Sequence, residues 1–340
     1  MKRPGTFPFT AIIGQEEMKK ALVLNVVNPR LGGVLIQGEK GTAKSTAVRA
    51  LADLLPPRLC IKGCKFHDDP NDKSNWCDEC HEKYDNAAPE TEELPMKVVE
   101  LPVSATEDRV VGTLDIEAAI KEGKRSFETG ILADANRNIL YVDEINLLDD
   151  HVVDVLLDSA AMGINTVERE GISYSHPARF SLVGTMNPEE GDIRPQLLDR
   201  FALSVYVAGE KDLDKRAEVI KRRLEYEDDP EEFIKKWEEE QQNEVHRIQR
   251  AMKLLPQVTT SNEILRMAAQ ISITLGVDGH RADIVLIKTA ETLAAVAGHT
   301  EVTKEDLREA AHLALPHRMR RRPFEEQKLD WENVDKVIDA

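Results

Sequence analysis

The chain has 340 residues, of which 41% are hydrophobic and 5% aromatic. That is material for an ordinary core and length for about two domains, so global disorder is excluded. A formal net charge of −17 argues against a dedicated nucleic-acid binder, because phosphate contacts need a positive field. No run approaches ~18 apolar residues, so no membrane helix is expected. The opening MKRPGTFPFT lacks the apolar stretch of a signal peptide, which points to the cytoplasm.

After a segment punctuated by Pro and Gly, a polar helix start falls at Gly14-Gln15-Glu16-Glu17. Residues 33–37, Gly-Val-Leu-Ile-Gln, form a short apolar run of the buried-strand type. The turn Gly38-Glu39-Lys40-Gly41-Thr42-Ala43-Lys44-Ser45 follows, then a helix from Lys44 to about Leu55, ended by Pro56-Pro57. Gly38, Lys44 and Ser45 match the phosphate-loop template, with Ala43 in place of its second glycine. Backbone N–H groups of such a loop and the helix N-terminus cradle phosphates. Lys44 is expected to reach the β- and γ-phosphates of ATP, and Ser45 to bind Mg²⁺.

Residues 60–95 differ from their surroundings and read as an insertion with little core of its own. They hold every cysteine of the chain and set four lysines against ten acidic residues. Cys60, Cys64, Cys77 and Cys80 come close to a four-cysteine zinc spacing, although three residues separate the first pair. His67 and His81 are near enough in sequence to replace one ligand. Structural Zn²⁺ is the leading expectation, because a metal supplies folding energy that a small core cannot. An iron–sulfur cluster is the alternative, and regulatory or free thiols are the remaining ones.

Strand-like runs return at Lys97–Leu101, Ile139–Val142 and Arg179–Gly184. Strands alternating with longer helices imply an α/β fold with a parallel sheet. The run at Ile139 ends in Asp143-Glu144, about a hundred residues after the phosphate loop. In a P-loop ATPase such an Asp helps hold Mg²⁺ and the Glu polarises the attacking water. The run at Arg179 leads to Asn187-Pro188, where Asn187 either positions water beside the γ-phosphate or simply forms a turn. Arg200 stands in the otherwise apolar Leu197–Phe201 stretch. Residues 210–255 are densely charged and read as solvated helix broken near Pro230. From Ser261 to Leu315 the pattern is helical and rich in Ala and Leu. The basic run His317–Arg322 reads as a solvated helix end, or as a docking segment.

These segments carry a family resemblance. FTAIIGQEEMKKAL (9–22), GEKGTAKST (38–46), ILYVDEINLLDDHVVDVLLDSA (139–160), TMNPEEGDIRPQLLDRFAL (185–203), GHRADIVLIKTAETLAAVAG (279–298) and LPHRMRRRP (315–323) resemble the AAA+ ATPases. Within them they resemble the small ATPase subunits of magnesium chelatase. The resemblance implies Lys44, Ser45 and Thr46 as Walker A and Asp143 and Glu144 as Walker B. It implies Asn187 as sensor 1 and Arg200 as an arginine finger for the neighbouring subunit. Arg281 would be sensor 2, in cis or in trans. Ile12, Ile13 and Gly14 would lie beside adenine. Hairpins at 104–130 and 163–179 would project toward a ring pore or a partner.

The implied organisation is an AAA+ α/β domain over 1–208 with the 60–95 insertion, a charged helical linker over 209–255, a helical lid over 256–320 and a tail over 321–340. The implied assembly is a hexameric ring. Its partners would be a second AAA+ subunit with an adhesion-type domain and a large porphyrin-binding subunit, with neither nucleic acid nor membrane involved. ATP hydrolysis would drive metal insertion into a tetrapyrrole, of the chlorophyll or the cobalamin type. A cobalt-chelatase subunit and a MoxR-like cofactor-insertion chaperone share every ATPase residue. A helicase-type motor shares the hairpins but conflicts with the charge.

Overall fold

The computed structural model describes residues 5–84, 86–115, 126–169, 172–277, 279–319 and 331–339. The sheet strands are β1 (Val34–Gly38), β2 (Arg58–Ile61), β3 (Thr91–Leu94), β4 (Val98–Leu101), β5 (Gly112–Asp115), β6 (Ser126–Thr129), β7 (Ile139–Val142), β8 (Ile164–Arg169), β9 (Ile172–Pro177), β10 (Ser181–Met186) and β11 (Leu203–Val207). Five of them form one parallel sheet in the order β11-β1-β10-β7-β4. All of β7 and β10 is buried, which is why these strands read as unbroken apolar runs and not as alternation. The expected α/β fold with a parallel sheet is therefore present. β11, which pairs with β1 from Val34↔Leu203 to Gly38↔Val207, is an addition that the sequence pattern did not disclose.

Helix Glu16–Val27 packs one side of this sheet through Met18, Leu22 and Leu24. The same core continues into helices Asn262–Thr274, Arg281–Ala297, Lys304–Ala314 and Trp331–Asp339. A capping box starts the third of these: Thr303 and Asp306 satisfy each other's backbone N–H groups. Asn28 ties the two parts together by donating to Thr292 Oγ1 at 3.0 Å. Among the described residues, no helix is long and apolar enough to cross a membrane.

The charged stretch forms helices Leu213–Asp228, Pro230–Lys236 and Glu238–Leu254. The first buries no residue fully and carries ion pairs such as Arg222–Glu218 and Arg223–Glu227. It is less solvated than its composition suggests, because Phe233 and Tyr226 enclose Phe7 at ring distances of 5.2 Å. Both expected hairpins exist in their bases. β5 and β6 pair between short helices Glu107–Val111 and Ile131–Ala135, and β8 pairs with β9. Residues 116–125 and 170–171, at their tips, lie outside the described residues.

The 60–95 insertion is present and has little core of its own. Its Phe66, Trp76, Cys77 and Cys80 are buried in a core shared with Leu140, Leu156 and Tyr174 of the body. One expectation needs correction: the basic run is not simply solvated. Arg318 is 7% exposed and donates to the carbonyls of Asp199, Phe201, Ala202 and Ala314. Its five guanidinium hydrogens are what let one side chain close a loop end rich in carbonyls. Residues 320–322 of the run lie outside the described residues. Arg318→Ala should cost about 2–4 kcal/mol of stability, because several buried carbonyls lose their donor together. Chemical denaturation measures this, and an unchanged midpoint would contradict the buttress.

Candidate nucleotide site

The phosphate loop joins the end of β1 to helix Lys44–Ala52. A Cβ on Gly38 would run into the Val207 carbonyl of β11, so the strand end admits only glycine. Gly41 and Ala43 both have positive φ, +78° and +62°. At Ala43 the left-handed conformation costs ~1–2 kcal/mol that a glycine would avoid. The turn is held all the same, because it aims the first N–H groups of the helix into one space.

That space is a cavity of about 610 Å³. Ile12, Ile13, Lys40, Gly41, Thr42, Ala43, Lys44, Ser45, Thr46, Asp143, Glu144 and Asn187 all line it. Gly14, Gly38 and Glu39 flank it without lining it: Gly14 turns the chain at φ +67°, and the carbonyls of Gly38 and Glu39 accept from Lys44 Nζ at 2.7 and 3.0 Å. Burial lowers the Lys44 pKa, while Asp143 and Glu144 act against that shift.

Asp143 follows β7. Tyr141 Oη donates to its Oδ1 at 2.9 Å and Thr185 Oγ1 at 2.5 Å. Thr185 also accepts from the Glu144 N–H at 3.1 Å. The neighbouring strand β10 thus holds the Asp143 carboxylate and the Glu144 backbone. Burial, then the Asp143 charge, pushes the Tyr141 hydroxyl up, so it remains a donor. Glu144 sits at φ +52° and pairs with Lys40 at 3.4 Å. Lys40 also pairs with Glu190 at 2.5 Å, and the two glutamates raise its pKa. Asn187 is 7% exposed and accepts the Glu189 N–H at 3.2 Å. It forms the turn and still reaches the cavity wall.

The sequence reading passed over Tyr141, Thr185, Glu190, Phe7 and Arg222. Tyr141 and Thr185 each stand two residues before a recognised polar position, on the same strand face; that was the available signal. Arg222 lines the cavity, donates to the Ala11 carbonyl at 3.0 Å and lies 4.5 Å over the Trp237 ring. Nothing in its charged helix marked it out.

Arg200 and Arg281 line no part of this cavity. Arg200 pairs with Asp154 at 2.9 Å and Asp158 at 2.5 Å. Arg281 begins its helix and pairs with Asp199 at 2.9 Å, beside Arg200 in the chain. Arg281 is thus tied to the residue that precedes Arg200 in the chain.

The cysteines divide. Cys64, Cys77 and Cys80 gather with Asp68, whereas Cys60 stays apart. Cys60 is buried on β2, with its sulfur 3.7 Å from both the Arg58 carbonyl and Arg137 Nη1. Burial pushes the Cys60 thiol up. The Cys77 thiol hydrogen bond brings Cys64 down to about 7 and raises Cys77 itself.

A parallel five-stranded sheet, a phosphate loop after β1 and paired carboxylates after β7 define an AAA+ ATPase. The family model for the AAA domain of the dynein-related subfamily matches residues 86–201, and that for the AAA lid domain matches 265–339. The chain is 59% identical over 332 residues to the magnesium-chelatase subunit ChlI homolog of Methanocaldococcus jannaschii, covering 98% of this chain and 90% of that one. It is 51% identical to the magnesium-chelatase 38 kDa subunit of Acidiphilium rubrum, covering 94% and 93%. A cryo-EM-based model of the BchI–BchD complex of magnesium chelatase matches with TM-score 0.56 and 45% identity, over 99% of this chain and 100% of that one. A putative ATPase of Cytophaga hutchinsonii, 17% identical with TM-score 0.63, shares the fold. The chain belongs to the family of magnesium-chelatase ATPase subunits represented by ChlI and the 38 kDa subunit.

Proposed function

We propose that this chain is the ATP-hydrolysing motor subunit of a magnesium-chelatase-type complex, turning ATP and water into ADP and phosphate to remodel partner subunits during metal insertion into a tetrapyrrole. The observation that carries the reading is the convergence of Lys44, Ser45, Asp143, Glu144 and Asn187 on one cavity. Lys44 binds the β- and γ-phosphates. Glu144 polarises the water that attacks the γ-phosphorus, and Asn187 orients it. The Ser45 hydroxyl and Asp143 carboxylate are hard oxygen donors on the same wall, which suits Mg²⁺, and they are the residues that would hold it. When bound, that ion neutralises charge on the phosphates. Lys40 pairs with Glu144 at the cavity wall and adds positive charge beside the phosphates.

Arg200 and Arg281 serve a neighbour's nucleotide. That neither lines its own chain's cavity supports action in trans for both and a ring, of six subunits by family resemblance. In this reading the α/β domain spans 1–208 with its 60–95 insertion, followed by a helical linker over 209–255, a lid over 256–320 and a tail over 321–340. The partners in this reading are a second AAA+ subunit with an adhesion-type domain and a large porphyrin-binding subunit. Structural Zn²⁺ in the cysteine-rich segment belongs to the same reading.

Particle mass in light scattering should rise from a small species to a ring on adding ATP and Mg²⁺; a persistent monomer would count against the motor. Chelation assays with the large subunit, comparing Mg²⁺ with Co²⁺, test the metal. Stimulation by neither would remove the chelatase role.

A further inference from the structure

The sulfurs of Cys64, Cys77 and Cys80 and one carboxylate oxygen of Asp68 all lie within 4.8 Å of one another. Donors at ~2.0–2.3 Å around a tetrahedral zinc stand ~3.4–3.8 Å apart. The Cys64–Cys77 sulfur separation is 3.9 Å, close to that value and far from a disulfide bond of ~2.05 Å. Asp68 supplies a second, independent sign. It is 1% exposed, one oxygen accepts the Cys77 N–H at 2.7 Å, and the other has no partner among the described residues. A buried carboxylate oxygen left unpaired is costly unless a cation takes it. The Phe66 N–H lies 3.4 Å from the Cys64 sulfur, as expected for a donor to a thiolate.

The same turn bears on the two hairpins. Phe66, 1% exposed, has its ring 4.6 Å from His176 and 6.5 Å from Tyr174 on β9, and 6.4 Å from Phe127 on β6. Phe127 and Tyr174 stack on each other at 4.4 Å. Asn136 donates to the Phe66 carbonyl at 2.5 Å, and Arg137 to the His67 carbonyl at 3.0 Å.

We propose that Cys64, Asp68, Cys77 and Cys80, and not the four cysteines, hold the structural zinc, and that this ion clamps the 64–68 turn so that Phe66 locks hairpins β5–β6 and β8–β9 together. The proposal rests on the zinc reading and specifies its ligands and its mechanical role. Thiolates select zinc over Mg²⁺ or Ca²⁺. Three thiolates leave a four-thiolate iron–sulfur cluster one ligand short. Binding releases the thiol protons to solvent.

The test uses the full chain and no nucleotide, so its outcome is separate from that of the ATPase reading. Protein prepared anaerobically without chelator should carry one zinc per chain. With Co²⁺ in its place, the sulfur charge-transfer band should have three-thiolate intensity in a tetrahedral site. Cys60→Ser should keep the zinc, whereas Asp68→Asn should weaken it at least tenfold in chelator competition. Removing the ion should speed amide exchange at 127–129 and 173–176 while β1 and β10 stay protected. Protein without metal would sink the zinc reading itself. Zinc lost in Cys60→Ser, or a four-thiolate cobalt spectrum, would overturn the ligand set, even if Asp68→Asn fails to fold. Unchanged hairpin exchange would overturn the clamp.

Discussion

Arg200→Ala should bind ATP as well as the unaltered chain and hydrolyse it ~10³–10⁵-fold more slowly, the range that arginine fingers contribute. Binding is spared because Arg200 lines no part of its own chain's cavity. Hydrolysis would suffer in the proposed reading because charge builds on the transferring phosphoryl group in the transition state, where the neighbour's guanidinium would meet it. Within the chain, Asp154 and Asp158 hold that guanidinium in place. A mixture decides whether it acts in trans. Arg200→Ala subunits keep an intact nucleotide site, and Lys44→Ala subunits keep an intact finger. Mixed rings should regain hydrolysis that neither variant shows alone. A mixture as inactive as its parts would refute action in trans, and a fully active Arg200→Ala would remove the role altogether.

Lys44→Ala should lose ATP binding by two orders of magnitude or more. Charge-assisted hydrogen bonds are worth ~1.5–3 kcal/mol each, and the ammonium offers more than one to the phosphates. Lys44 already satisfies the Gly38 and Glu39 carbonyls, so its removal also loosens the loop that must receive the nucleotide. Asp143 and Glu144 would then face the phosphates with less opposing charge. Titration with a fluorescent ATP analogue measures the affinity, and turnover is read in parallel. Normal turnover would contradict the site.

Contiguous motifs were legible because their chemistry is local. A phosphate loop needs its lysine, its hydroxyl and its turn within eight residues, and a strand ending in Asp143-Glu144 needs only β7 to be read. Buried strands of a parallel sheet also show themselves as apolar runs. β11 did not, since its Tyr206 is 62% exposed and Ser204 interrupts it. Lys40 looked like one more loop residue, yet it bridges Glu144 and Glu190, which are more than a hundred residues away.

The cysteine segment separates the two kinds of information most clearly. Residues 60–95 hold every cysteine and ten of the acidic residues, and that alone raises the expectation of a metal module. Spacing could not say which side chains converge. Cys60 lies on a strand whose pairing with β3 turns it toward Arg58 and Arg137, and Asp68 takes its place beside the other three. The sequence by itself determined the ATPase chemistry, the parallel sheet and the existence of the acidic, cysteine-rich insertion behind the charge of −17. Only the tertiary structure decided that Arg318 is a buried brace, that Arg200 and Arg281 stay out of their own chain's cavity, and that the insertion is part of the body. Those outcomes depend on which way a side chain faces once distant strands pair, and residue order does not carry that direction.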